Sequence, residues 1–321
     1  MRRTLFILFC IILIFFIVSG CNKKTTGPEK IHMGYMQVST GLPLFVALER
    51  DMFKQEGLLV EGVRFDSVNQ AMDALIAGRI DGVQGVGFTT FMAIEQNTPG
   101  QFKMFWTCAD TKQKFTNGLL KKKGSPFKTI KDLKGHKLGT YTGTTQLINV
   151  KVILRKLDID PEKDLEIVQV GRQIEVQAFD AGQFDALFTI EPDVTIVLEK
   201  GIGEVLEENP RVNYLYDPFV AGGAVLSTKF IEERPEDVRK IVAVANRAIE
   251  FIRNKEQQAK SYLPKYTPLS DTIALQSGLY EFWKLGEEDR TAMQGLADLY
   301  YQEGAFNKKI NTAQMLLQLN K

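Results

Sequence analysis

The sequence is short of the residues on which most enzymes rely. Of its 321 residues only 2 are histidine, His32 and His136, and only 3 are cysteine. It contains no Gly-x-Ser-x-Gly elbow, no His-Glu-x-x-His pair and no Gly-Lys-Ser/Thr phosphate loop. Those absences exclude the commonest hydrolase, zinc-protease and ATPase sites, and point to no catalytic residue, metal or cofactor. An excess of one charge is missing as well. Lys and Arg number 40 against 39 Asp and Glu, a formal net charge of +1 with the two signs interspersed. A nucleic-acid partner calls for a basic stripe, so none is expected. The run Lys121-Lys122-Lys123 is too short for that purpose and reads as a solvated strand end.

The few cysteines are informative by position. Cys10 lies inside the apolar run Leu5 to Val18, Cys21 follows that run, and Cys108 stands alone in an apolar stretch. No intramolecular disulfide is therefore expected in the mature chain, and a body this large can bury enough apolar surface without one. Arg2 and Arg3 ahead of the run, with Ser19 and Gly20 after it, complete a secretory signal over residues 1–20. A cysteine at the cleavage point makes the segment resemble a bacterial lipoprotein signal, although Val18 stands where that signal prefers leucine. The resemblance implies lipidation of Cys21, with the lipid bilayer as a partner. The competing reading is an uncleaved transmembrane anchor, for which the run is at the short end. Either way the body lies outside the cytoplasm. Residues 21–30 are polar, contain Gly27 and Pro28, and read as a tether.

The remaining chain is too long for one simple core and carries an internal repeat. Ala74-Leu-Ile-Ala-Gly-Arg-Ile-Asp-Gly-Val83 aligns without gaps on Ala178-Phe-Asp-Ala-Gly-Gln-Phe-Asp-Ala-Leu187, matching Gly78 with Gly182 and Asp81 with Asp185 at a spacing of 104 residues. That spacing is too long for a solenoid and suits two similar lobes. Around each copy, strand-like stretches alternate with helix-like ones, which predicts an α/β fold with mainly parallel sheets wound by crossover helices. Gly78 and Gly182 are expected to end helices at positive φ, and the two aspartates to bond nearby turn backbone. The first copy predicts a helix with Phe45, Leu48 and Met52 on one face. C-terminal helices are predicted over 232–253, 271–284 and 291–302.

Ligands of open parallel sheets bind beyond the carboxyl ends of the strands. That rule selects Ser39 and Thr40, Asp66 and Ser67, and the stretch containing Gly87 and Thr89 in the first lobe. In the second it selects Tyr141 to Thr145, with Thr144 and Thr145 at a helix start, then Arg172 and Glu191. Free backbone N–H groups and hydroxyls at helix starts accept an anion or a polar oxygen. The same hydroxyls also serve as helix caps. Arg172 suits a carboxylate, sulfonate or phosphate. Glu191 suits an amine, or simply the start of a helix. Tyr141, Phe88 and Trp106 suit stacking on a planar ligand, with Trp106 read also as core.

Three segments carry a family likeness: Gly41-Leu42-Pro43 leading to Asp51 through Leu58, Ile130 through Gly135 leading to Gly143-Thr144-Thr145, and Ala181 through Ala186 leading to Glu191-Pro192. With them the sequence resembles the nitrate, sulfonate and taurine group of ABC solute-binding proteins, which also includes binders of thiamine-pyrimidine precursors. The likeness runs from about Lys30 to about Arg253. It implies a two-lobed type II periplasmic-binding-protein fold with the ligand cleft between the lobes and hinge strands near Leu119 and Ala224. Lobe one is expected over 31–118 and 219–321, lobe two over 119–218. It implies that a monomer captures a small polar or charged solute by lobe closure and delivers it to an ABC permease. Thr144 and Thr145 would contact an anion, and Glu191 would match the carboxylate that holds a pyrimidine. An enzyme of pyrimidine or menaquinone pathway type on the same fold is the alternative. Such enzymes are cytoplasmic, so the signal argues against it. A ligand-sensing receptor subunit is a further alternative.

The lipoprotein reading is tested at one atom. Cys21→Ala is expected to leave the body folded while abolishing palmitate incorporation and processing at that position. Unchanged labelling of the variant contradicts it.

Overall fold

A computed structural model describes residues 29–319; the signal segment, Cys21 and most of the tether lie outside the described residues. Two sheets organise the body that starts at Ile31. Strands β1 (Ile31–Met36), β2 (Val60–Phe65), β3 (Gly82–Gly87) and β4 (Phe102–Asp110) belong to the first sheet. The chain then crosses over to build β5 (Asn117–Lys122), β6 (Lys137–Tyr141), β7 (Glu166–Val170), β8 (Ala186–Ile190) and β9 (Gly203–Glu208) of the second. It crosses back into the first sheet with β10 (Phe219–Ser227) and β11 (Glu281–Lys284). Spatial order is β11-β4-β10-β3-β1-β2 in sheet one and β7-β6-β8-β5-β9 in sheet two.

The repeat seen in the sequence is the heart of each sheet. β1 pairs in parallel with both β2 and β3, as β6 does with β7 and β8. Gly78 and Gly182 take φ of 66° and 75°, where a side chain would be strained. The aspartates reach further than the turn. Asp81 accepts from the N–H of His32 at 2.7 Å and its own N–H donates to the His32 carbonyl. Asp185 does the same with Lys137, its side chain at 2.9 Å. Each aspartate therefore pins the start of the strand that is parallel-paired on both sides, β1 or β6, to the start of its neighbour β3 or β8.

Several local expectations are adjusted. Asp51 adopts a left-handed conformation (φ 52°), so the predicted first helix is two, Leu42–Glu49 and Met52–Gln55. The segment expected to be helical from Asp271 to Lys284 stops at Gln276, and its second half is β11, paired antiparallel with β4. Pro235 opens the long helix Pro235–Asn254, whose Val238, Ile241, Val242, Ala245 and Ile249 are buried as one stripe. Leu119 and Ala224 sit inside β5 and β10; the chain passes between sheets at 111–116 and 209–218.

The core is continuous across the two sheets. One apolar cluster joins Phe88 and Phe91 of sheet one's flank to Val150 and Phe188 of sheet two's, with Leu296 and Tyr300 of the helix Arg290–Gln302 between. Phe88 and Trp106 are fully buried and are core residues, the Trp106 indole donating to Gln84 at 3.1 Å. Among the described residues no helix is long and apolar enough to cross a membrane.

Candidate functional site

The strand ends selected from the sequence face one another where the two sheets meet. On the lobe-one side, Ser39 and Thr40 form a short turn after β1, and the Thr40 hydroxyl sits so close to Gly85 that a Cβ there would lie 2.6 Å from it. Gly87 ends β3 and opens the helix Phe88–Asn97. A Cβ on Gly87 would stand 4.0 Å from the Thr145 hydroxyl, so this backbone looks directly at lobe two. Thr145 bonds across the gap to Thr90, hydroxyl to hydroxyl at 2.9 Å. Thr89, one residue earlier, points inward and donates to the buried Tyr300 phenol at 3.5 Å. Tyr300 in turn donates to Asn149 of the lobe-two helix Thr144–Lys156. Thr144 opens that helix, and its side chain lies outside the described atoms.

On the lobe-two side, Tyr141 ends β6, and the Arg172 guanidinium lies 5.2 Å from the centre of its ring. Arg172 also donates to the Glu191 carbonyl at 2.9 Å and meets Asp193 at 3.3 Å. Burial alone would lower the Arg172 pKa; Asp193, Glu175 and the phenols of Tyr141 and Tyr280 together outweigh that and raise it. Glu191 has a structural engagement of its own. Its carboxylate accepts from the Thr195 N–H and hydroxyl at 3.2 and 2.9 Å, and from the N–H of lobe-one Gly278 at 3.2 Å. It thus ties the lobes together while capping the helix Asp193–Glu199. Burial holds its pKa above the usual range against those hydrogen bonds.

The groups that sequence reasoning missed sit at the crossings. Asp110, the last residue of β4, is fully buried and faces Arg211 at 2.9 Å. Thr116 donates to the same carboxylate, and the guanidinium lies 4.9 Å from the Phe219 ring centre. Burial pushes Asp110 up, with Arg211 opposing. Tyr280, just before β11, joins this pair, and burial raises its phenol far above the ordinary value. Asn209 braces the two crossings to each other. Its side chain accepts from the Thr116 N–H at 3.1 Å and donates to the Lys114 carbonyl at 3.1 Å. Nothing local in the sequence marks these residues, since a lone Asp or Arg reads as solvated surface.

With this geometry established, comparison with known proteins is decisive for the family. Residues 24–262 match the profile of the NMT1-like family. The chain belongs to that family. It is 26% identical to a Bacillus subtilis (strain 168) protein named for binding aliphatic sulfonates, over 97% of this chain and 93% of that one. The periplasmic aliphatic sulphonate binding protein of Escherichia coli shares its fold, with a TM-score of 0.75, 20% identity, and coverage of 92% of this chain and 94% of the other. The desulfurization enzyme DSZB also shares it, at a TM-score of 0.67 and 15% identity, covering 90% and 96%. The two-lobed α/β fold of periplasmic binding proteins is thereby established. Gly278, Tyr280 and Tyr300 lie beyond the part matched by the NMT1-like profile.

One further pair distinguishes this NMT1-like protein's lobe two. Glu175 is fully buried, accepts from Thr189 at 2.9 Å and lies against Asp193. Burial first, and then the neighbouring Asp193, drives its pKa well above the carboxylate range. An acid whose folded pKa is raised contributes its stability at low pH and loses it as pH climbs through the folded value. Glu175→Gln mimics the protonated acid. Its melting temperature should therefore exceed that of the wild type increasingly from pH 5 to pH 8. A gap that stays constant with pH, read by thermal unfolding, contradicts this assignment.

Proposed function

We propose that the protein is the extracytoplasmic, solute-capturing subunit of an ABC importer, anchored through lipid on Cys21 and working as a monomer. The observation that carries this reading is the meeting of buried polar groups from both lobes at the strand ends, between two braced chain crossings. Such a site exchanges lobe–lobe hydrogen bonds for lobe–solute ones when it opens and closes. The solute classes consistent with the relatives and with the sequence are sulfonate- or nitrate-type anions and thiamine-pyrimidine-like compounds. Ser39, Thr40, Gly87, Tyr141, Thr145 and Arg172 are the residues expected at its rim, joined by Thr90.

Binding is favoured over catalysis by where the reactive side chains are. His32 and His136 lie at the starts of β1 and β6, the opposite ends of those strands from the cleft. Cys108 is buried within β4, and burial together with Asp110 keeps its thiol protonated. Among the described residues, no imidazole or thiolate stands where the lobes meet.

Native mass spectrometry of the processed protein should find one small molecule retained. Re-adding it to stripped protein at a hundredfold excess over Kd stabilises the folded state by about 2.7 kcal/mol, a melting shift of several degrees. A protein that retains nothing, and does not shift with sulfonates, nitrate, pyrimidines or amides, is not a solute-capturing subunit.

A further inference from the structure

Gln146 and Asn149 occupy the first two turns of the helix Thr144–Lys156, and both are fully buried. Three residues apart, they are neighbours on the helix surface. Each is half satisfied. The Gln146 amide donates through Nε2 to the Phe188 carbonyl at 3.2 Å, which turns Oε1 the other way and leaves it without a hydrogen-bond partner. Tyr300, accepting from Thr89, gives its own hydrogen to Asn149 Oδ1 and leaves Nδ2 without one. Buried side-chain polar atoms are overwhelmingly partnered, and here an orphaned acceptor and an orphaned donor come from side chains three residues apart on one helix, the second of them bonded to Tyr300 of lobe one.

Each guanidinium nearby has a carboxylate counter-charge, although Arg211 Nε and Nη2 lack hydrogen-bond partners. Arg211 faces Asp110 at 2.9 Å and Arg172 faces Asp193 at 3.3 Å. Two more carboxyl groups, Glu175 and Glu191, belong to the same neighbourhood, and burial favours the neutral form of each. With both guanidinium groups already facing carboxylates, a sulfonate or nitrate buried here gains less attraction than beside a free cation. An uncharged group carrying both an acceptor and a donor meets the orphaned atoms of Gln146 and Asn149.

We propose that the solute enters the cleft with an uncharged amide-like edge, a C=O beside an N–H as in a carboxamide, lactam or urea. Its N–H is read by Gln146 Oε1 and its C=O by Asn149 Nδ2. Tyr300 is the positioning residue, holding the Asn149 amide from lobe one. This rests on the solute-capture reading and narrows it to a ligand class different from that in the relatives' names.

The test is calorimetry on the processed protein with 2-pyrrolidinone, nicotinamide and methylurea on one side and methanesulfonate, taurine and nitrate on the other. At least one amide probe should bind, and Gln146→Leu and Asn149→Leu should each weaken it about tenfold. Tyr300→Phe should weaken it less, because it leaves both amides in place. Circular dichroism melts of the unliganded variants show whether they fold. Should Asn149→Leu not fold, Asn149→Asp replaces it, since it keeps the acceptor for Tyr300 while removing the amide donors. Binding confined to the anions overturns the proposal and leaves solute capture intact. Amide binding that both substitutions leave unchanged overturns it too, as does a crystal structure of the complex with water alone bridging Gln146 and Asn149. Binding by neither panel, with nothing retained by the purified protein, removes solute capture and this proposal together.

Discussion

Asp110 and Arg211 come face to face where the chain leaves one sheet and where it returns, and the geometry of everything between the lobes follows from that contact. Both are buried, so each has lost its water and depends on the other. Removing one partner of such a pair costs about 3–5 kcal/mol, because a bare charge is left in a low-dielectric interior. The pair is also placed where it constrains motion. Asp110 ends β4 and Arg211 lies one residue into the helix Pro210–Tyr214, so the ion pair fixes one crossing against the other. Asn209 adds hydrogen bonds to Thr116 and Lys114, and Lys112 meets Asp217 across the same two segments at 2.8 Å. The two crossings are thereby braced against each other beside the strand ends of both sheets.

What approaches is polar and incompletely satisfied. Thr90 with Thr145, Tyr300 with Asn149, and Gly278 with Glu191 are single hydrogen bonds between lobes. Each is worth only about 0.5–1.5 kcal/mol net, little enough for a solute to replace. The apolar cluster running through Phe88, Val150 and Leu296 gives closure its non-directional part. The C-terminal segment is an active member of this arrangement, because Gly278, Tyr280 and Tyr300 all reach the junction from beyond the matched family region.

Much of this was legible in the sequence, and the legible part has a common character. The repeat around Gly78 and Gly182 disclosed two similar sheets because it reflects local geometry: a helix end, then a strand start. Ser67 capping the helix Val68–Ile76 at 3.3 Å is equally local. The strand-end rule led to Tyr141, Thr145 and Arg172, which the fold places at the ends of β6 and β7 facing these contacts, for the same reason. Register around a helix start is harder. One residue is a rotation of about 100° on a helix, which separates Thr90, facing Thr145, from Thr89, facing Tyr300. Residues defined by distant partners were not legible. Asp110 and Arg211 are far apart in the chain, and Tyr300 meets Asn149 across an even longer separation. Glu191 read either as an acceptor for an amine or as the start of a helix, and its partner Gly278, 87 residues on, could not be seen. β11 was mistaken for helix because Glu281–Lys284 becomes a strand only through pairing with β4.

The central claim is that the two lobes close on a solute about the crossings at 111–116 and 209–218. The most direct measurement is the distance between spin labels placed on the exposed positions Asn97 of lobe one and Lys163 of lobe two, with and without the solute recovered from the protein. A broad or longer distance distribution that collapses to one shorter distance on saturation is the predicted result. A distribution that the solute leaves unchanged would contradict the account.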